Sequence, residues 1–187
     1  MLARTVVAVT LATLSAVAPT STQSKPDDAA VIDVALTAAS LTHLTEFFKG
    51  APTPPLLLRS QTAAVCDANP KPGTFCIDFY VKILREQLQK KPNDWPVTFY
   101  DAVIEQNLTS RDLSGMTFAS AKLTAPDNIT AFKTGQAIAQ VSQPTYLDNR
   151  AIVFVSTSYA WSITHAVLME KRGGRWEPIA VASLGRS

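Results

Sequence analysis

The C-terminal third of the chain constrains the fold most, because its residues follow strand patterns that are separated by short turns. Residues 137–141 and 151–155 are apolar runs of strand length, and residues 162–171 alternate between the two faces of a strand. Gly173-Gly174 suits a two-residue hairpin turn, followed by a returning strand over about 175–182. This pattern predicts a three-stranded antiparallel meander at the end of the chain.

The N-terminal half shows helical spacing instead. Two aspartates after Pro26, followed by apolar residues at three- and four-residue steps, predict a helix over roughly 28–49 that ends at Lys49-Gly50. A second helix is predicted where apolar residues again recur at this spacing and stop before Pro92; they are Ile77, Tyr80, Val81, Leu84 and Leu88. Shorter segments are predicted as strands at 56–64 and 95–100 and as a third helix at 126–134.

Helices first and strands later are typical of an α+β domain. We therefore expect two N-terminal helices and a short third helix packed on one face of a mostly antiparallel sheet, which ends in the three-stranded C-terminal meander. The closing hairpin, with Leu168-Met169-Glu170-Lys171-Arg172 before Gly-Gly and Arg-Trp after it, resembles the last hairpin of small exported domains such as those of the cystatin and nuclear transport factor 2 folds. This resemblance covers roughly 35 residues, supports the sheet and implies no functional residues.

The first twenty residues have the order of a secretory signal peptide. One basic residue, Arg4, precedes an uncharged run over 5–14 that is too short to cross a bilayer, and Ala16-Val17-Ala18 supplies small residues for a peptidase. We expect a signal peptide over 1–20, a flexible leader over 21–27 and a single domain over 28–187. The alternative is an uncleaved anchor or a buried helix. Since no later run is long and apolar, the mature form is expected to be periplasmic or extracellular, soluble and without a membrane span.

The chain contains only two cysteines, Cys66 and Cys76, separated by turn-forming residues. In an oxidising compartment, such a pair is most simply a disulfide. The alternative is a reactive thiol at Cys76, since a helix beginning at Phe75 would lower the pKa of that thiol. The disulfide is the prediction that follows from export.

The charge of the chain is close to neutral. The 17 basic residues barely exceed the 15 acidic ones, and removing Arg4 with the signal leaves a net charge of about +1. We therefore expect neither nucleic acid nor anionic lipid as a partner. Asn107 and Asn128 match the N-glycosylation pattern, which has meaning only if the source is eukaryotic.

Residues with catalytic or metal-binding chemistry are scarce. His43 and His165 are the only histidines, too few for a zinc site, and we expect no metal and no cofactor. His165 could act as a base for a neighbouring serine, but no nucleophile-elbow motif is present. The candidate serines are Ser156, Ser158 and Ser162. Asp101 and Glu105 form the one carboxylate pair placed after a predicted strand, where a cap or turn role is the simpler interpretation.

Aromatic side chains are the better candidates for contact with a partner. The candidates that could line a groove are Trp95, Phe99, Tyr100, Tyr159 and Trp161, and core packing explains Phe99 and Tyr100 equally well. We expect one ring of the Tyr159–Trp161 pair to be exposed, and His165 is a further candidate binding residue. Whether the chain is an enzyme is open, but its composition favours a non-enzymatic exported domain. The hypothesis is a module that binds a protein or a small molecule. The first alternative is a small hydrolase-like enzyme using His165 with a nearby serine or acidic residue. The second is a purely structural component of an envelope assembly.

Overall fold

The computed structural model describes residues 27–48, 56–67, 69–70, 74–88, 98–124, 136–159 and 161–186. The predicted signal peptide, nearly all of the predicted leader, Trp95 and the predicted helix at 126–134 lie outside these ranges. The side chains of residues 41–48, His43 included, are also outside the description.

Three helices and seven strands make up the described part of the chain. The helices are α1 (Asp28–Phe48), α2 (Ile77–Leu88) and α3 (Thr98–Gln106). The strands are β1 (Leu56–Arg59), β2 (Lys122–Thr124), β3 (Ala137–Val141), β4 (Thr145–Leu147), β5 (Arg150–Ser158), β6 (Ser162–Arg172) and β7 (Arg175–Arg186). No helix in these ranges is long and apolar enough to span a membrane.

All seven strands belong to one mixed sheet with the order β2-β1-β3-β5-β6-β7, in which β4 pairs separately with β5. β1 runs parallel to both β2 and β3, and every other pair is antiparallel. The predicted α+β class and the β5-β6-β7 meander are thereby confirmed. Gly173 and Gly174 form its last turn with φ of 54° and 81°, a backbone conformation that favours glycine.

The helices cover both faces of the sheet, so the expectation of a single covered face is wrong. Val153 and Val167 pack with the buried side of α1, including Ile32. Their strand neighbours Phe154 and Leu168 point to the other face, where they pack with α2 and α3. Because both faces of β5 and β6 are buried, these strands have nearly continuous apolar runs.

The predicted strand at 95–100 is also wrong, since α3 begins at Thr98. Phe99, Tyr100 and Val103 are buried together, at the spacing of a helix face. Aromatic residues favour strands intrinsically, but burial of this face against α2 and the sheet prevails over that preference. Asp101 and Glu105 consequently lie exposed on a helix and do not follow a strand.

Candidate functional site

Two of the aromatic residues proposed for binding, Tyr159 and Trp161, lie in the turn between β5 and β6. The Tyr159 amide donates to the Trp161 carbonyl at 3.2 Å, which closes this turn. Tyr159 packs against the core on the α1 face, while Trp161 is 41% exposed, as expected for one ring of the pair. Trp95 lies outside the described residues. The structure thus brings Tyr159 and Trp161 together at one end of the sheet.

His165 is buried in the middle strand of the meander, 2% exposed. It is paired with Val155, whose side chain belongs to the core on the α1 face. Ser156 and Ser158 pair with Thr164 and Ser162, and strand alternation directs these four side chains to the opposite face. The sheet therefore separates His165 from the serines that the hydrolase hypothesis requires.

The two cysteines form the predicted disulfide, with their Cα atoms 5.1 Å apart. Asp78 lies beside them, and its carboxylate accepts a hydrogen bond from the Cys66 amide at 3.2 Å. This trio is the one group of potential metal ligands found among the described residues. Because both sulfurs are used in the covalent bond, neither is available as a thiolate ligand.

Asn107 of the first glycosylation motif is fully buried. Its side chain donates to the Val103 carbonyl and accepts from the Gln143 amide, each at 2.8 Å. Gln143 donates in turn to the Thr109 carbonyl at 2.7 Å. The folded domain therefore uses Asn107 to join α3 to the β3–β4 connection and leaves it inaccessible to glycosylation. Asn128 lies outside the described residues.

A chain of polar contacts anchors the start of α1 to the sheet. Buried Asp28 accepts from Arg111 at 2.7 Å and from the Tyr146 hydroxyl at 2.6 Å. Burial and this carboxylate raise the pKa of the Tyr146 phenol, which stays a protonated donor.

The residue before Asp28 also contacts the sheet, since the hydrogen bond from Lys171 of β6 holds the pKa of Asp27 below its usual value. The Tyr146 ring in turn contacts the Trp176 ring, with centroids 5.7 Å apart.

Beside these contacts is an open groove of about 520 Å³ between α1 and the start of β7, which we name the α1–β7 groove. Its lining is mostly carbon, and Trp176 is the largest side chain among the lining residues. The lining residues are Asp33, Val34, Thr37, Ala38, Ala119, Ser120, Trp176 and Pro178. Cavities of this size are within the range of small-molecule sites.

Asp33 is the one acidic residue of the groove lining, and its carboxylate is already satisfied. It accepts hydrogen bonds from the backbone amides of Ala119 and Ser120 at 2.7 and 2.9 Å, and from the Ser120 hydroxyl. These contacts tie the 119–120 bend to α1 and form one wall. The groove consequently offers shape and apolar surface, and the hydrogen bonds within that wall occupy both oxygens of the Asp33 carboxylate.

Sequence reasoning missed the α1–β7 groove. Trp176 was visible as a strand residue directly after a tight turn, but nothing local indicated that α1 would pack across it. Asp33 lies 86 residues before the amide that it binds at Ala119, so no spacing pattern could reveal this contact. The groove is a product of tertiary packing.

Comparison with family models, curated proteins and solved structures finds no match for this chain. The candidate site therefore stands on its own geometry.

Proposed function

We propose that this protein is an exported, non-enzymatic binding domain whose α1–β7 groove takes a small, neutral, apolar ligand. The groove itself is the observation that supports this proposal, since it combines the volume of a ligand site with a carbon-rich lining around Trp176. A neutral ligand fits best because the described residues of the groove lining include no basic residue to pair with an anion, and both oxygens of their one carboxylate, Asp33, already accept hydrogen bonds.

The serine and histidine side chains do not favour catalysis over binding. His165 lies on one face of the sheet and the neighbouring serines on the other, so this proposal uses neither. Trp161, exposed at the β5–β6 turn, remains a candidate for contact with a protein.

Export is the other half of the proposal. It is supported by the basic residue, short apolar run and small residues at positions 1–20, together with the Cys66–Cys76 disulfide, a bond typical of oxidising compartments. Expression in a bacterial host should give a periplasmic chain that lacks the first twenty or so residues and carries the oxidised cysteine pair. Intact mass spectrometry of the fractions tests this, and retention of residues 1–20 in a cytoplasmic product would contradict it.

The binding site is tested with N-phenyl-1-naphthylamine, a neutral apolar dye that fluoresces when it leaves water. Ala119→Trp fills the groove from an exposed lining position while leaving the backbone amide that binds Asp33. Fluorescence titration should show dye affinity weakened about tenfold or more, equivalent to roughly 1.4 kcal/mol. Ala30→Trp is the matched control, because Ala30 is exposed on α1 outside the groove lining. No dye binding by the wild type, or equal affinity in the two variants, would overturn the proposal.

A further inference from the structure

β7 is a twelve-residue strand at the end of the sheet order. In the part of the chain that the structure describes, β6 pairs with one of its edges and no strand pairs with the other. A long edge of this kind presents backbone donors and acceptors to another chain, and native proteins usually blunt it.

Features on both sides of Val181 limit pairing along the rest of the outer edge of β7. Pro178 lacks an amide hydrogen, and the pairing with β6 is irregular at Leu168/Met169 and at Thr164/His165. Between these irregularities the ladder is regular from Ala180 to Ser183, where the Ser183 carbonyl accepts a hydrogen bond from the Gln87 side chain at 3.4 Å. This central segment is uncharged, and Val181 within it is 39% exposed. A pairing partner would therefore meet an apolar edge around Val181.

On the α1 face, a row of valines crosses the sheet and ends at this edge. Val153 pairs with Val167, and Val167 pairs with Val181. The first two are fully buried, whereas the third is partly in solvent. Cross-strand pairs of β-branched residues stabilise sheets, so another valine beside Val181 would continue the row and bury it.

The sequence Ala180-Val181-Ala182 is palindromic about Val181. We propose that β7 pairs antiparallel with β7 of a second copy of this chain, about a two-fold axis through Val181. Val181 then lies opposite Val181, and Ala180 opposite Ala182, so identical surfaces meet as a two-fold interface requires. The valine row extends unbroken across both copies. This interface does not depend on the α1–β7 groove or its ligand.

Charge favours the antiparallel direction. Arg172 and Arg175, both exposed, flank the β6–β7 turn at one end of the strand pair. Parallel pairing in register would place these basic tips of the two copies together, whereas the two-fold arrangement sends them to opposite ends of the interface. Like charges that close to one another are destabilising.

Cysteine cross-linking tests the register. The Val181→Cys chain should form an intermolecular disulfide under mild oxidation, because the two-fold axis brings its sulfurs opposite one another. Ser183→Cys is the matched control on the same edge, since its two copies would lie about 13 Å apart along the strands. Non-reducing gels and intact mass should show dimer for the first variant and monomer for the second. Equal cross-linking of both variants, or of neither, overturns the proposed pairing.

Sedimentation velocity on the wild type provides the second measurement. We expect a concentration-dependent dimer that Val181→Lys shifts to monomer by placing like charges opposite each other. Leu108→Lys is the control, because Leu108 is an apolar residue that is 63% exposed and does not belong to β7. This variant should leave the dimer intact. A wild-type chain that is monomeric at every protein concentration overturns the proposal. It is overturned in the same way if the edge of β7 binds an extended peptide while the chain itself stays monomeric. Loss of dye binding in the groove would leave this result unaffected.

Discussion

The structural role of Asp28 depends on partners that are distant in the sequence, Arg111 and Tyr146. By sequence it is a helix-start aspartate, suited to oppose the helix dipole. In the folded domain it is also the buried partner of Arg111 and Tyr146, contacts that join α1 to segments 83 and 118 residues later. A buried carboxylate of this kind is stable only while its partners are present.

Asp28→Asn should therefore destabilise the domain by about 3 kcal/mol, since it leaves the Arg111 guanidinium largely buried without its counter-charge. Urea unfolding followed by circular dichroism measures this change. Combining Asp28→Asn with Arg111→Met should cost less than the sum of the single changes, because the double variant removes both charges.

Asp101→Asn is the matched control for this pair of changes. Asp101 also occupies the first turn of a helix but is exposed, so its substitution should change stability by less than about 0.5 kcal/mol. Equal effects at Asp28 and Asp101 would mean that the Asp28–Arg111 pair contributes little.

At the scale of elements, the disulfide joins the segment after β1 to the start of α2. A bridge between Ala64 and Cys76 and the hydrogen bond from the Ile77 amide to the Ala64 carbonyl at 3.2 Å reinforce the same junction. Ile77 is fully buried beneath it. The disulfide thus fixes where α2 begins and which of its faces meets the sheet.

Cys66→Ser should lower the free energy of unfolding by about 3 kcal/mol, the chain-entropy value for a loop of this length. Thermal and urea unfolding of the variant, compared with the wild type in the absence of reductant, give the difference. Addition of reductant should destabilise the wild type by a similar amount and leave the variant unchanged; a reductant effect on the variant would contradict the assignment.

The helices also differ in how far their sequence predicts them. α1 and α2 agree closely with their periodic apolar residues and with the prolines and glycine around them. α3 does not, because its nine residues are rich in aromatic and β-branched types that favour strands locally. Its helical form depends on packing Phe99 and Val103 against α2 and the sheet, which no local pattern contains.

Across the whole molecule, carboxylates with lowered pKa values connect stability to pH. The hydrogen bond from Lys171 lowers the pKa of Asp27. Hydrogen bonds from Ser114 lower the pKa of Asp112. The hydrogen bond from Arg172 lowers the pKa of Glu170, and Arg150 makes a smaller contribution. A carboxylate whose pKa is lower in the folded state stabilises the fold above its ordinary pKa. This stabilisation is lost as the pH falls through the folded-state value.

We therefore expect the free energy of unfolding to decrease as the pH falls below about 4. Lys171→Met should reduce this acid dependence, because Asp27 then has a more ordinary pKa. Urea unfolding at a series of pH values compares the two chains, with Lys122→Met, at an exposed lysine, as the control. An unchanged acid dependence in Lys171→Met would show that its ion pair with Asp27 does not contribute.

The sequence by itself determined the features that depend on near neighbours: the meander and its Gly-Gly turn, the extent of α1 and α2, and the cysteine pair. Periodicity, turn chemistry and loop closure act over a few residues, so they can be read along the chain. Only the tertiary structure decided that helices cover both faces of the sheet and that His165 and the serines are separated. The α1–β7 groove also depends on it, because contacts such as Asp33 with Ala119 arise only after distant segments have packed together.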